Sequence, residues 1–517
     1  MSRSTLIKGT IILTVASLLS KILGSIFRIP LQNIAGDEVL GIFSLVYPVY
    51  MVALILSVAG IPTAISKLIA EERALDTNAN IRPIYVTASI LALSFGIVSF
   101  TFIYLFSSPI AYALGGPTSR LSLIIVATTL LIAPYMAVFR GFFQGFGDMG
   151  PTAISQVIEQ FIRVGLILIL AYILVSRGFS SEKIAGYIMI GSVAGAFASF
   201  LFLRVKFARS PLKPAADTSY SFATFSRVGK KILKVSIPIA IGSITMALVN
   251  FIDSLTIPFS LRSIGVGAAN DIHYLYGIYG RGLALVQIAT VFATSIVLPL
   301  IPLLTEKLVN HDRNGMRATI EKAFYMANLI AWPAAFGLLA LTLPMNLGLF
   351  SDLEGSTMLA IIGFSSVFTS LTVLGTGILQ GMNLANQAAI IILIGIGIKT
   401  FSNIFLVHLF GLDGAAISTL VVYLLLFIVN MIFIYRNIAF SFWNGWKVLK
   451  MVIASLVMGI MIGAPTLFFE VAEWSRLQAV LYVGGAILVG AVIYFGMLVI
   501  GKVIDKGIFK KLPLIKK

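Results

Sequence analysis

Long apolar runs recur along the whole chain and are separated by short polar segments. About fourteen of them approach or exceed the roughly 20 residues that a helix needs to cross the hydrocarbon layer of a membrane. They lie near 10–34, 41–67, 84–107, 121–144, 153–175, 184–206, 234–261, 274–305, 320–343, 356–381, 387–409, 414–436, 449–469 and 477–501. With 59% hydrophobic and 11% charged residues, a chain of 517 residues has too little polar surface to enclose a water-soluble globule. The sequence therefore predicts an all-α integral membrane protein with about fourteen transmembrane helices.

Lysine and arginine are distributed unevenly between the two predicted sides of the membrane. If the helices alternate in direction, 26 of the 37 basic residues fall on the side of the two termini and five on the other side. This is the pattern of the positive-inside rule, so both termini are predicted to be cytoplasmic. The same pattern accounts for the net charge of +17 without a nucleic-acid partner. Anionic membrane lipids are the expected partners of the basic segments.

The chain repeats itself at an interval of 236 residues. Segment 139–163, FRGFFQGFGDMGPTAISQVIEQFIR, is echoed by segment 375–399, GTGILQGMNLANQAAIIILIGIGIK, so that Arg163 matches Lys399. We therefore predict two parallel six-helix lobes around a central cavity. The predicted divisions are lobes 1–207 and 233–437, a basic cytoplasmic linker 208–232 whose last part is amphipathic, and two additional helices with a basic tail in 438–517.

Several charged side chains fall inside apolar runs, where each costs about 2.5–3.5 kcal/mol on insertion scales. Ser17, Lys21, Gly24 and Arg28 recur at helical spacing and predict a polar stripe on the first helix, which either lines a cavity or anchors the helix. Glu159 and Arg163 stand four residues apart, and the spacing predicts an ion pair that is either functional or self-neutralising.

Other polar features give weaker predictions. Asn250 and Asp253 are candidates for holding a coupling cation, Na⁺ or H⁺. The three histidines lack partners at ligand spacing, and the chain has no cysteine, so neither a metal site nor a cofactor is expected. Gly60-Ile61-Pro62 predicts a break near the end of the second apolar run, serving as a packing kink or as a hinge.

Three segments carry a resemblance to a known family. They are LSKILGSIFRIPL followed by GDE, AGIPTAISKLIAE, and the segment that begins FRGFFQGFGDMG. They resemble the MurJ and SpoVB-type members of the MOP superfamily, and the resemblance covers nearly the whole chain. It implies a flippase of the bacterial plasma membrane, acting in peptidoglycan or polysaccharide biosynthesis. Such a protein moves an undecaprenyl-pyrophosphate-linked saccharide, lipid II or a related precursor, from the inner to the outer leaflet by alternating access. We expect a monomer that performs no covalent chemistry and is not an enzyme.

The resemblance also assigns residues. Lys21 stands in place of the family's first cavity arginine, Arg28 lies one position from the next, and Glu38 resembles the acidic residue after the first helix. Arg281, in YGRGL, matches the cavity arginine of the eighth helix. A cavity arginine usual in the second helix of MurJ has no counterpart among residues 45–60, which leaves the saccharide open. The predicted substrate-binding residues are Lys21, Arg28, Glu38, Glu159, Arg163, Arg281 and Lys399.

Two alternatives stay open at this point. A drug/cation antiporter of the same superfamily would line its cavity with carboxylates, whereas Glu159 and Asp253 are the acids within the predicted spans, against about six cations. A membrane-embedded glycosyltransferase would carry acidic or histidine groups on sizeable outer loops, and the predicted outer loops are short.

Overall fold

The computed structural model describes residues 3–58, 60–74, 81–212, 220–440 and 446–504, and within these ranges every regular element is helical. The chain divides into two compact units, Met1–Gly280 and Arg281–Lys517. This division differs from the predicted lobe boundary at residue 207, because α11 (Phe222–Ser263) packs against helices of the first unit. The predicted lobes stay a prediction.

Eleven helices and the start of a twelfth form the first unit. The bounds are α1 Arg3–Ile26, α2 Arg28–Val58, α3 Ile61–Ala74, α4 Ile81–Leu105, α5 Ser107–Ala113, α6 Arg120–Ala127, α7 Ala133–Gly145, α8 Gly150–Ser176, α9 Ser181–Ile188, α10 Ile190–Ala208, α11 Phe222–Ser263 and α12 Ala269–Val309. The segment predicted to be an amphipathic end of the linker forms the beginning of α11. There Val228 and Ile232 are buried in an aromatic-rich cluster with residues of α3, α4 and α7.

The second unit contains the rest of α12 and seven further helices. Their bounds are α13 Arg313–Ala340, α14 Thr342–Phe350, α15 Ser356–Gly381, α16 Ala385–Asn437, α17 Trp446–Gly463, α18 Pro465–Phe468 and α19 Arg476–Ile500. Two of these helices contain prolines in their interior, at Pro299 and Pro302 of α12 and at Pro333 of α13. Helices α13, α14, α17 and α19 pack together, so α17 and α19 are an integral part of this unit.

Three glycines divide the long apolar segments. Gly36 (φ 81°) kinks α2, Gly60 (φ 83°) separates α2 from α3, and Gly411 (φ 57°) kinks α16. Positive φ is costly for residues with a Cβ, so glycine is the residue that suits these corners. The break predicted at Gly60-Ile61-Pro62 is therefore confirmed. The first helix ends before the end of the predicted run 10–34, since α1 ends at Ile26 and Arg28 already belongs to α2.

The described residues contain eleven stretches that are long and apolar enough to cross a membrane. Two of them, Ile12–Ala74 and Ala385–Asn437, have 63 and 53 residues, far more than one crossing needs, and contain the glycine corners. The protein is an all-α, multi-pass membrane protein. The total of fourteen crossings remains a prediction.

The two segments of the repeat fold alike. Helices α7 and α15 end at Gly145 and Gly381, and two residues later Gly147 (φ 78°) and Asn383 (φ 61°) are both left-handed. The turn hydrogen bonds also correspond: Gly147 N donates to Gln144 O at 2.8 Å, and Asn383 N donates to Gln380 O at 3.1 Å. The 236-residue echo thus encodes one helix–turn–helix corner that is built twice.

Candidate functional site

Two buried arginines flank a pair of stacked rings in the first unit. Phe43 and Tyr47 stand one helical turn apart on α2 and stack at 5.4 Å between ring centroids. The guanidinium carbon of Arg28 lies 5.9 Å from the Phe43 ring, and that of Arg163, on α8, lies 5.1 Å from the Tyr47 ring. Aromatic faces stabilise guanidinium groups electrostatically and by stacking. We call these four residues the aromatic–cation array.

The array has unused hydrogen-bonding capacity. The Nε atoms of Arg28 and Arg163 are buried and, among the described residues, have no hydrogen-bond partner. An arginine cannot lose its charge in a protein, and a buried charged donor without an acceptor costs several kcal/mol. Both side chains are therefore suited to an anionic ligand with several oxygen acceptors. Phosphate and pyrophosphate have that chemistry.

The residues of the predicted polar stripe have different surroundings. Ser17 Oγ donates to Gln156 Oε1 of α8 at 3.0 Å, and Gly24 lies beside the side chain of Gln160. Lys21 is exposed on the first unit, whereas Arg28 is buried. The single helix face of the predicted stripe stays a prediction, since helix-type backbone hydrogen bonds continue across the turn at Phe27, from Phe27 N to Leu23 O at 3.4 Å and from Leu31 N to Phe27 O at 3.0 Å. Lys21 and Arg28 remain candidates from two different helices.

Glu159 has a different partner from the one that its spacing indicated. Its Oε2 accepts from Arg140 Nη2 at 2.7 Å, and Arg140 also donates to Ser155 and Ser199 at 3.0 and 3.1 Å. The prediction that Glu159 pairs with Arg163 was wrong. Arg140 reaches it from α7, while Arg163 lies over Tyr47. The Arg140–Glu159 pair borders a cavity of about 200 Å³ inside the first unit.

Glu38 and the predicted cation site lie apart from these contacts. Glu38 Oε2 accepts from Ser181 Oγ at 2.7 Å, which links the corner of α2 to the start of α9. Asp253 is buried and accepts from Tyr279 OH at 3.1 Å, whereas Asn250 is exposed. Within the described ranges no cluster of three or more His, Asp or Glu residues is arranged to hold a metal ion.

Arg281 is held by acceptors of the second unit. Its side chain is 0% exposed, and its two terminal nitrogens donate to both oxygens of Asp352 at 2.7 and 2.8 Å. Asn346 Oδ1 accepts a further bond at 3.2 Å, and the Phe350 ring lies 5.2 Å from the guanidinium carbon. This fork geometry is specific to arginine and carboxylate-like anions.

Lys399, the repeat partner of Arg163, is buried within α16. Its Nζ donates to Thr419 Oγ1 at 2.5 Å, across the corner that Gly411 makes. In the first unit, α10 packs closely on the Arg163 turn of α8, through Gly191 and Gly195. The two cations therefore occupy corresponding helix interfaces and have different partners.

Three contacts of this site were not foreseen. Tyr47 was overlooked, although Phe43, Tyr47 and Tyr50 form an aromatic face beside Pro48 that the sequence displays. Arg140 lies in the repeated segment 139–163, but no sequence spacing identifies Glu159 as its partner. Asp352 lies in the loop after α14, and no sequence spacing links it to Arg281.

The chain is similar in sequence to a known family and to several bacterial membrane proteins. The family described as "Polysaccharide biosynthesis protein" matches residues 6–308. The chain is 31% identical over 413 residues to the uncharacterized membrane protein YabM of Bacillus subtilis, covering 80% of this chain and 76% of the relative. It is 26% identical to lipid II flippase MurJ of the same species, over 95% of this chain and 94% of MurJ. It is 24% identical to stage V sporulation protein B of that species, over 100% of this chain and 99% of that protein.

Solved structures share the fold. The inward closed conformation of lipid II flippase MurJ superposes with a TM-score of 0.65 at 16% identity, covering 95% of this chain and 100% of MurJ. An inward-facing multidrug resistance MATE family transporter of the MOP superfamily gives a TM-score of 0.62 at 16% identity, over 81% of this chain and 94% of the transporter. The expected resemblance to MurJ, SpoVB and the MOP superfamily is thereby confirmed.

Proposed function

Because the chain belongs to the family of polysaccharide biosynthesis proteins, we propose that it is a flippase for a lipid-linked saccharide. The expected substrate carries a pyrophosphate between an undecaprenyl chain and its sugars, as in lipid II or a related precursor. The similarity to lipid II flippase MurJ and to stage V sporulation protein B supports this substrate class. The site is exposed first to one side of the membrane and then to the other, and no covalent bond is made or broken.

The aromatic–cation array is the observation that carries the proposal. Arg28 and Arg163 are fixed over rings, and their buried Nε donors have no partner in the part of the chain that the structure describes, so they are prepared to bind an anion in an apolar layer. A pyrophosphate offers acceptors in several directions and satisfies both groups with charge-assisted bonds. Binding of the anion there offsets the cost of taking it out of water, which is what prevents such lipids from crossing unaided.

The other predicted substrate-binding residues have different roles in the proposed transport. Lys21 is an exposed cation of α1 and is a further candidate contact for the substrate. Arg281 is reached by phosphate only after the Asp352 carboxylate has moved, and Lys399 only after Thr419 has moved. Glu38 and Glu159 act by holding α9 and Arg140 in place rather than by touching the substrate.

A drug/cation antiporter is the second candidate, favoured by the structural similarity to a MATE transporter. It fits the described residues less well. The two acids within the predicted spans are engaged with protein groups, Glu159 with Arg140 and Asp253 with Tyr279, while two arginines retain buried donors. We further propose a monomer of the bacterial plasma membrane with both termini in the cytoplasm. Asp253 stays the proposed site of a coupling cation, with Asn250 nearby on α11.

A flipping assay tests the proposed function. The purified protein is reconstituted in vesicles with a fluorescent undecaprenyl-pyrophosphate-linked disaccharide, and a membrane-impermeant reductant reports how much of the probe has crossed. Wild type is expected to move the probe, and Arg28→Gln and Arg163→Gln are expected to lower the rate about 10- to 100-fold, as loss of one charge-assisted bond implies. Arg163→Lys should keep part of the activity.

The matched control is Arg177→Gln, which removes an exposed arginine just after α8 and should leave the rate unchanged. A wild-type protein that moves a cationic dye and not the lipid probe would establish the antiporter instead. Wild-type rates in both glutamine variants would remove the array from the transport site.

A further inference from the structure

A deep apolar cleft lies on the first unit, away from the array. It has a volume of about 600 Å³ and is enclosed by α2, α4, α5 and α11. Its walls include Val52, Leu56, Val98, Phe102, Phe106 and Phe251. The lining contains a single polar side chain, Ser99, whose hydroxyl is bonded to that of Ser57 at 2.6 Å. We call this cleft the α4 groove.

The α4 groove opens toward the hydrocarbon of the membrane. Helix α4 is one of the membrane-crossing stretches, and Val98 and Phe102 at the mouth of the groove are 64% and 57% exposed. Surfaces of that kind on a membrane-spanning helix are in contact with lipid chains. The volume lies within the range of 300–1,000 Å³ that is usual for small-molecule sites. A hydrocarbon chain is therefore the ligand that the walls accept.

One end of the groove carries a fixed positive charge. At this end, the wall of the groove is formed by Pro109, Ile110 and Ala113 of α5. The ring of Tyr112 in this helix stacks on the guanidinium group of Arg262 at 4.6 Å. Leu255 of α11 lines the groove, and Arg262 follows seven residues later, two turns along the same face and about 10 Å further.

A second cation stands beside the same helix. Arg120 Nε donates to Ser107 Oγ at 3.1 Å, at the start of α5. The hydrophobic stretch of α4 ends at Leu105, so both arginines lie at the level where headgroups begin. An apolar channel inside the membrane layer and cations at its end match the two parts of an anionic lipid.

We propose that the α4 groove is a binding site for an anionic phospholipid, with one acyl chain in the groove and the phosphate at Arg262. The groove shares no residue with the aromatic–cation array, so the site does not depend on the proposed transport function. The bound lipid fills the space between α2, α4 and α11. Its headgroup ties the α4–α5 corner to the end of α11.

Lipid contact at single positions tests this site. The chain contains no cysteine, so a bimane label is unique in the full-length variants Phe102→Cys and Ile169→Cys. The first position lies in the groove, and the second is an exposed position on α8. Each labelled protein is reconstituted in phosphatidylcholine vesicles that contain an equal fraction of either brominated phosphatidylglycerol or brominated phosphatidylcholine, both of which quench the label on contact.

At Phe102→Cys the anionic lipid should be enriched roughly fivefold over the zwitterionic lipid, the preference expected from one interfacial cation. At Ile169→Cys the two lipids should quench equally. Adding Arg262→Gln should abolish the preference, Arg262→Lys should keep most of it, and the control Arg177→Gln should leave it unchanged. Equal quenching by both lipids at Phe102→Cys overturns the proposal, as does a preference that survives Arg262→Gln. Should the glutamine variant fail to fold, the two label positions and the lysine variant still decide the outcome.

Discussion

Four buried cations of this protein are stabilised in three different ways. Arg28 and Arg163 rest on aromatic faces, Arg281 is held by a carboxylate fork, and Lys399 donates to a hydroxyl. Guanidinium is planar and weakly hydrated, so a ring can replace part of its water shell. The lysine ammonium is a compact charge that requires acceptor atoms, which explains why Lys399 and Arg163 have different neighbours at corresponding positions.

The Tyr47 ring is predicted to contribute measurably to the position of Arg163. Tyr47→Leu should lower the free energy of unfolding by about 0.5–2 kcal/mol and slow transport, because the cation–π contact is lost. Tyr47→Phe keeps the ring and should behave much like wild type. The measurements are thermal unfolding in detergent and flipping in vesicles. Tyr172→Leu, at an exposed position of α8, is the control, and an equal effect of both leucine variants would contradict a specific role of the array.

The Arg281–Asp352 pair is predicted to be energetically coupled. Arg281→Met and Asp352→Asn should each lower the free energy of unfolding by about 1–3 kcal/mol, since each leaves a partner unsatisfied. The double variant should lose clearly less than the sum, which a double-mutant cycle measures. Glu71→Gln removes a pair that is exposed on both sides, Lys67–Glu71 at 3.8 Å, and should cost well under about 1 kcal/mol. Strictly additive losses at Arg281 and Asp352 would show that the fork does not couple them.

At the scale of helices, contact between α2 and α12 depends on two glycines. A Cβ on Gly41 would overlap the backbone oxygen of His273, and a Cβ on Gly277 would overlap that of Asp37. Close backbone approach of this kind is how helices associate where lipid gives no hydrophobic driving force. Beside the crossing, the buried ring of His273 lies 3.2 Å from both Thr118 Oγ1 and Ser119 Oγ, so α12 is also tied to the α5–α6 connection.

Gly41→Ala and Gly277→Ala are therefore predicted to force the two helices apart. Each should cost about 2 kcal/mol or more, in line with overpacked cores, and lower the thermal midpoint in detergent. Gly165→Ala is the matched control, because it lies in the interior of α8 and its Cβ would meet nothing within 4 Å. That change should be neutral or stabilising by about 0.5–1 kcal/mol. A destabilisation by Gly165→Ala as large as the other two would show that backbone clash is not the cause.

Hydropathy and turn residues predict the helices well, but they do not predict which residues pair with the charged side chains. The run at 356–381 coincides with α15, because an uninterrupted apolar segment between polar loops has only one low-energy form in a bilayer. The Glu159 prediction failed because spacing along one helix says nothing about Arg140, which arrives from α7. Nothing in the sequence indicates that α1 ends at Ile26, because neither glycine nor proline stands at Phe27. Tertiary packing decides such cases.

For the whole molecule, the prediction concerns the side on which each loop lies. Single cysteines at Ser180 and Glu473 are expected to react with an impermeant maleimide added to intact cells, and those at Asn314 and Asn437 only after the cells are opened. All four positions are exposed. Ser181 and Asp352 are unsuitable reporters, because one holds Glu38 and the other Arg281. Labelling of Asn314→Cys from outside would reverse the orientation that the distribution of lysine and arginine indicates.

The Arg281–Asp352 fork also bears on how the chain enters the membrane during synthesis. The two residues are 71 positions apart, and helices α13 and α14 lie between them. At translation rates of about 5–20 residues per second, Asp352 is made roughly 4–14 s after Arg281. During that interval α12 is delivered to the bilayer with its arginine but without the carboxylate that will hold it. The long apolar stretch that follows Arg281 in α12, or a transient contact with the insertion machinery, has to keep the helix in place until the loop after α14 emerges.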